Sequence, residues 1–291
     1  MSTLSSPSCW RLMASATLLT WLVPTAPLAQ GAAPTPTSLS GNGEEEVATY
    51  TDFPDASEFG DATIYYPADV DEPVGGVAIA PGFTERQGHI EWWGPRLASH
   101  GYAVLILDTN DPRDRPDVRA EALIAAVRTL KEENSRQGSP LFGKVDTGRM
   151  AVMGHSMGGG GALLAADQLG DEIQAAIPFT PWQPDGDFDG ITAPTLVIAG
   201  SADDIAGVDE HAWPHFQSIP ASTPKVYMEV EGGDHFIADT TRGEDLELIG
   251  RYGIAWLKLY LDGDDRYRDF IFGEAQEGTT ANLSRYVENP E

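Results

Sequence analysis

The sequence predicts an α/β fold, a mostly parallel β-sheet flanked by helices. Three observations predict it. From about residue 62 onward, short apolar runs alternate with helical patterns, as in a largely parallel sheet with both faces covered. Gly154-His155-Ser156-Met157-Gly158 lies between an apolar run and the helix-forming Ala162-Leu163-Leu164-Ala165-Ala166. Ser156, the turn Pro81-Gly82-Phe83-Thr84, Asp203 and His235 all follow strand-like runs, and folds of this class collect their chemistry at the carboxyl ends of strands.

The strand-like runs are Ala62–Tyr66, Gly76–Ala80, Ala103–Leu107, Met150–Met153, Ala175–Phe179, Thr195–Ala199 and Val226–Val230. Helical patterns cover Trp92–Ser99, Val118–Lys131, Gly158–Leu169, Glu210–Gln217 and Leu246–Leu261. There is no internal repeat. A chain of 291 residues holds one large domain with a sizeable core, which we place at residues 47–291.

What precedes that domain reads differently. Arg11 stands just before the apolar stretch Leu12 to Leu28, which Pro24 and Pro27 interrupt, and small residues follow at Ala29, Gly31, Ala32 and Ala33. This is the pattern of a secretory signal peptide over residues 1–30, cleaved within 29–33. The run is too short and too proline-broken for a membrane anchor. Residues 31–46, with two prolines and three consecutive glutamates, read as a disordered lead-in. Cys9 is the only cysteine and falls in the removed segment, so a secreted mature chain without a disulfide is expected.

Aspartate and glutamate outnumber lysine and arginine 45 to 18, for a net charge of −27. Such a surface disfavours nucleic acid and stable association with anionic membranes. It suits either an ordinary exported protein that stays soluble and monomeric through self-repulsion, or one adapted to salt, where screening removes that repulsion.

The Gly-x-Ser-x-Gly context makes Ser156 a candidate nucleophile on a tight strand-to-helix turn, with the Met157 N–H facing an attacked carbonyl. A serine hydroxyl needs an adjacent base, and the base needs an orienting acceptor. In this class the chain order is serine, acid, histidine. Of the histidines after Ser156, His235 follows Gly232-Gly233-Asp234 after a strand and precedes the last long helix, where a base belongs. His211 and His215 are four apart on a helical pattern and lack an obvious third metal ligand, so they read as helix-surface residues. Position after a strand and before His235 favours Asp203 and Asp204 over Asp185, Asp187 and Asp189; pattern alone does not separate the pair. An oxyanion needs two N–H donors, and the turn at Pro81-Gly82-Phe83-Thr84 offers the second through Phe83.

Several stretches together resemble the bacterial cutinases and poly(ethylene terephthalate) hydrolases. They are Gly60 to Pro67, Pro81 to Gln87, Trp92 to Gly101, Asp108-Thr109-Asn110 and Gly154 to Gly161, and the resemblance extends over residues 47–291. It implies an α/β-hydrolase fold with about nine strands and no lid. It makes Asp203 the acid, supports Phe83 and Met157 as oxyanion donors, and implies a substrate groove walled by Phe83, Trp182 and Ile205, with His155 and Phe236 alongside. It further implies that the disulfides of some members would fall at Phe272 with Asn289 and at Gly200 with Ile237. Lacking both, the C-terminal tail and the His235 loop should be held by packing alone, with lower heat tolerance.

The expected activity is cleavage of a polyester through an acyl-enzyme, with no metal or cofactor. Two other readings share these motifs. One is a general carboxylesterase or lipase acting on small or lipid esters. The other is a catalytically silent protein that docks on polymer or cell-wall surfaces.

Overall fold

A computed structural model describes residues 34–240, 243, 246–273 and 282–289, together with Met1. Nine strands form one sheet: β1 (Val47–Tyr50), β2 (Ala62–Pro67), β3 (Val74–Ala80), β4 (Tyr102–Leu107), β5 (Val145–His155), β6 (Ala175–Phe179), β7 (Thr195–Gly200), β8 (Lys225–Val230) and β9 (Leu283–Asn289). Their order is β1-β2-β4-β3-β5-β6-β7-β8-β9. The six strands from β4 to β8 run parallel, while β1, β2 and β9 pair antiparallel at the edges. With the cutinase-type resemblance, this is the α/β-hydrolase architecture.

Every residue of β3, β4, β6, β7 and β8 is buried. Strands covered on both faces must be apolar on both, and this made the central strands legible as continuous runs. Alternate side chains enter two cores. Ala78 and Ala80 of β3 join the core under α3 (Pro116–Glu133), α4 (Met157–Leu169) and α5 (Ala212–Ser218); Val77 and Ile79 join the core under α2 (Trp93–Ala98), α6 (Leu246–Tyr260) and α7 (Arg268–Phe272).

Two edge strands escaped the sequence reading. β1 and β9 are four and seven residues long and only partly buried, so neither presents an apolar run. The lead-in also departs from expectation. Residues 1–30, and with them Cys9, are outside the described residues apart from Met1, but residues 34–46 are not a featureless tail. A short helix, α1 (Pro36–Leu39), is capped by Thr35, whose hydroxyl accepts the Ser38 N–H. Leu39 is buried in the α2/α6 core, and the Arg96 guanidinium binds the carbonyls of Leu39 and Ser40 at 2.5 and 3.0 Å. Buried Leu39, the Arg96 guanidinium and hydrogen bonds from Gly43 and Glu45 to Ser99 anchor a segment whose composition reads as disordered. Among the described residues no helix is long and apolar enough to cross a membrane.

Candidate active site

The turn between β5 and α4 carries Ser156 at φ 55°, ψ −118°, a strained backbone for a residue with a side chain, which costs about 1–3 kcal/mol. The fold around it enforces the turn. The Ser156 N–H donates to Phe179 O at 3.0 Å, and Ser156 O accepts from the N–H groups of Gly160 and Trp182 at 3.0 and 2.9 Å. The flanking glycines are steric necessities: a Cβ at Gly154 would strike the Gly158 carbonyl, and one at Gly158 would strike that of Ala80.

His235, in the loop after β8, brings Nε2 to 2.7 Å from Ser156 Oγ and Nδ1 to 2.8 Å from Asp203 Oδ2. A carboxylate only accepts, so Nδ1 carries the hydrogen and Nε2 presents its lone pair to the serine hydroxyl. Ser156, Asp203 and His235 are 6%, 8% and 3% exposed, so these bonds form in a low-dielectric setting where each is stronger. Asp203 lies in the turn after β7. Burial alone would raise its pKa, but the hydrogen bond and electrostatic attraction to His235 and the N–H groups of Ala206 and Ile205 together hold the carboxyl below its usual range. Asp203 Oδ1 accepts those two N–H groups at 2.7 and 2.9 Å.

The Met157 N–H is the first of α4 and has no intrahelical partner by construction. Facing it is the turn after β3. A Cβ on Gly82 would lie 2.9 Å from Ser156 Cβ, so this turn passes directly beside the serine. Three contacts brace it. Glu85 Oε2 accepts the Gly82 N–H at 2.6 Å, the Thr84 N–H donates to Pro112 O at 2.6 Å, and Arg119 Nη1 donates to Pro81 O at 2.8 Å. Arg119 is fully buried, and its other donors reach the carbonyls of Asp114 and Pro112. Burial lowers its pKa to about 10, which leaves it charged at neutral pH. Neither Glu85 nor Arg119 was singled out from sequence: each acts on backbone distant along the chain, and no spacing signals that.

A cleft of about 300 Å³ opens over Ser156 and His235, lined also by Phe83, Thr84, Glu85, His89, Ile205, Phe236 and Asp239. Phe83 and Ile205 are 46% and 50% exposed, so two apolar side chains of the cleft that holds Ser156 stand in solvent. Trp182 does not line this cleft. Its half-buried ring lies 5.6 Å from that of His211 and carries the Arg115 guanidinium at 4.7 Å.

Two expectations are corrected here. His155 is not a groove residue: it is 1% exposed and lies beneath His235, with Nδ1 at 2.8 Å from Glu85 and Nε2 at 2.7 Å from the His235 carbonyl. His215 is not on the surface: it is 2% exposed against Phe188, because α5 packs that face onto the α3/α4 core. Among the described residues no three histidine, cysteine, aspartate or glutamate side chains are grouped to hold a metal ion.

The His235 loop is held by more than packing. Thr180 Oγ1 and His155 both bond the His235 carbonyl, Trp92 Nε1 donates to Ala238 O at 2.8 Å, and the Ala202 N–H donates to Gly233 O at 2.9 Å.

A family model described as "PETase: PET hydrolase-like" matches residues 23–290. "Cutinase 1" of Thermobifida cellulosilytica is 44% identical over 230 residues, 76% of this chain and 84% of that protein. "Cutinase" of Thermobifida fusca is likewise 44% identical, over 76% of this chain and 73% of its own. "Bis(hydroxyethyl) terephthalate hydrolase" of Streptomyces coelicolor is 42% identical over 84% of this chain and 77% of its own. This chain therefore belongs to the PET hydrolase-like family and is an ester hydrolase of the α/β-hydrolase fold.

Proposed function

We propose that this is an exported polyester hydrolase in which Ser156 is the nucleophile, His235 the base and Asp203 the orienting acid. The observation that carries the reading is the continuous hydrogen-bonded chain from Ser156 Oγ through His235 to Asp203, beneath a cleft flanked by exposed apolar side chains. Ser156 Oγ attacks an ester carbonyl while His235 Nε2 takes its proton. Asp203 stabilises the imidazolium so formed. The N–H groups of Met157 and Phe83 hold the oxyanion, where electrostatic preorganisation is worth most. His235 returns its proton to the leaving alcohol, and water then releases the acyl group by the same steps reversed. Phe83, Ile205 and Phe236 are the proposed walls for an acyl or aromatic unit, with Trp182 extending the surface; flat apolar walls suit a polymer repeat. The similarity to cutinases and to a bis(hydroxyethyl) terephthalate hydrolase supports polyester as the substrate class.

The test is product release from polyester film by the mature protein beside Ser156→Ala. Soluble acid monomers and mono-esters are expected only with the serine intact, the substitution lowering kcat by about six orders of magnitude. Cleavage of soluble short-chain esters with no release from film would replace this reading with a general carboxylesterase.

A further inference from the structure

Glu85 and His155 are 6% and 1% exposed, lie 70 residues apart and have no step in the reaction above. Both touch its parts. Glu85 Oε2 accepts the Gly82 N–H at 2.6 Å, immediately before the Phe83 donor. The same oxygen is 2.8 Å from His155 Nδ1. His155 Nε2 is 2.7 Å from the main-chain carbonyl of His235, and the two rings are 5.1 Å apart.

Hydrogen-bond chemistry fixes the proton count. The His235 carbonyl only accepts, so His155 Nε2 must carry a hydrogen. A neutral His155 would then aim a bare Nδ1 at Glu85. One further proton must therefore lie between Nδ1 and the carboxylate, and because Glu85 Oε2 also receives the Gly82 N–H, the imidazolium–carboxylate form is favoured.

We propose that Glu85 and His155 are a positioning pair, in which one proton-bearing contact locks the oxyanion turn to the loop that carries the catalytic histidine. The proposal rests on the hydrolase reading above. Loss of the contact would free the Phe83 donor and the His235 backbone from one another, and both must be in register for the oxyanion and the proton transfer to be served together.

The pair holds its proton over a wide range. Burial opposes charge on both groups, but their mutual attraction and hydrogen bond outweigh it, raising the pKa of His155 and lowering that of Glu85. His155 therefore gives up its proton at a higher pH than an ordinary histidine, and Glu85 takes one up at a lower pH than an ordinary glutamate. The other titratable groups facing the pair are His89 and Arg119 on the Glu85 side and Asp239 and the His235 ring on the His155 side.

Glu85→Gln is the informative variant, because an amide oxygen can accept the same two hydrogens without the charge that keeps His155 protonated. Wild type and variant would be compared on a soluble p-nitrophenyl ester across pH 6–10, with active sites counted by a phosphonate. We expect kcat to fall about tenfold at pH 8 with KM within twofold. We also expect a new loss of activity on the alkaline side as His155 discharges, whereas Glu85→Asp retains the alkaline plateau. A Glu85→Gln profile that differs from wild type only by a constant factor would overturn the proposal, since a merely structural defect scales all pH values alike. Should the variant not fold, nitrogen-15 spectra of histidine-labelled wild type decide: both His155 ring nitrogens protonated at pH 8 supports the pair, and a single neutral tautomer overturns it. A wild type that neither cleaves the ester nor reacts with the phosphonate would instead remove the hydrolase reading.

Discussion

Asp203 accepts three hydrogen bonds in the turn after β7, while its neighbour Asp204 faces solvent. This difference in surroundings is what favours Asp203 as the proposed acid, and two adjacent identical letters cannot carry it. Motif context and chain order single out Ser156 and His235, which the fold brings within 2.7 Å of each other; for the acid, the residue pattern narrows the choice only to the pair, and the resemblance implies Asp203. Asp203→Asn tests the arrangement directly. Asparagine can keep Oδ1 on the Ile205 and Ala206 amides, which turns its NH₂ toward His235 Nδ1 and forces the wrong tautomer. The expected loss is about 10⁴-fold in kcat with the fold intact; an asparagine variant retaining a tenth of the activity would contradict it. At the cleft, Ile205→Ala removes apolar contact worth about 1 kcal/mol. KM for aromatic esters should rise severalfold with kcat within twofold, and unchanged KM on a bulky aromatic ester would mean that Ile205 is not a wall.

At the scale of elements, the long helices and most buried parallel strands are legible almost to their ends, because burial on both faces leaves a continuous apolar run; β5 is the exception, legible only over Met150–Met153 because much of its first half, Asp146 to Arg149, is exposed or half-buried. The partly exposed edge strands and α1 left no such trace. The fourfold spacing of His211 and His215 placed both on one helix face but could not say which way that face points. It points inward at His215. Burial first, and the nearby His211 second, pull the His215 pKa down to about 4. Unfolded chains protonate histidine near pH ~6.5, so between there and pH ~4 only the unfolded state gains the proton, and stability falls as pH drops. At pH 4.5 the loss is about 2–3 kcal/mol. His215→Phe, set against Phe188, should remove most of it. The check is urea unfolding of both proteins at pH 7 and 4.5; equal acid sensitivity would sink the idea. The end of β7 makes a second case. A Cβ at Gly200 would strike the Gly233 carbonyl, and Ile237 is buried. The glycine lets β7 approach the His235 loop backbone to backbone, at the position where the resemblance implies a disulfide in some members. Introducing Gly200→Cys with Ile237→Cys should lower the melting temperature even when oxidised, because the strand would have to withdraw from the loop. A raised melting temperature would show that the loop yields cheaply.

For the whole molecule the governing fact is charge. Pairing all 18 basic residues one to one would still leave 27 carboxylates, so surface ion pairs such as Lys131–Glu172 at 3.2 Å cannot offset the repulsion. Composition alone showed this, since net charge needs no fold to be read. Its consequence depends on range. The screening length is about 30 Å in 10 mM salt and about 3 Å in 1 M. In dilute buffer, repulsion therefore spans the molecule, and salt should raise the melting temperature by several degrees; a maximum in low salt would exclude the salt-adapted reading. The substrate adds a second repulsion. Hydrolysis leaves carboxylates on a polyester surface, so an acidic enzyme is increasingly driven from the film it has begun to degrade. A neutral soluble ester offers no such field. Release from film should thus increase severalfold between 10 mM and 0.5 M sodium chloride, while turnover of a short p-nitrophenyl ester changes less than twofold. Parallel responses of the two substrates would place the effect of salt on the enzyme itself, and would count against repulsion at the polymer surface as its cause.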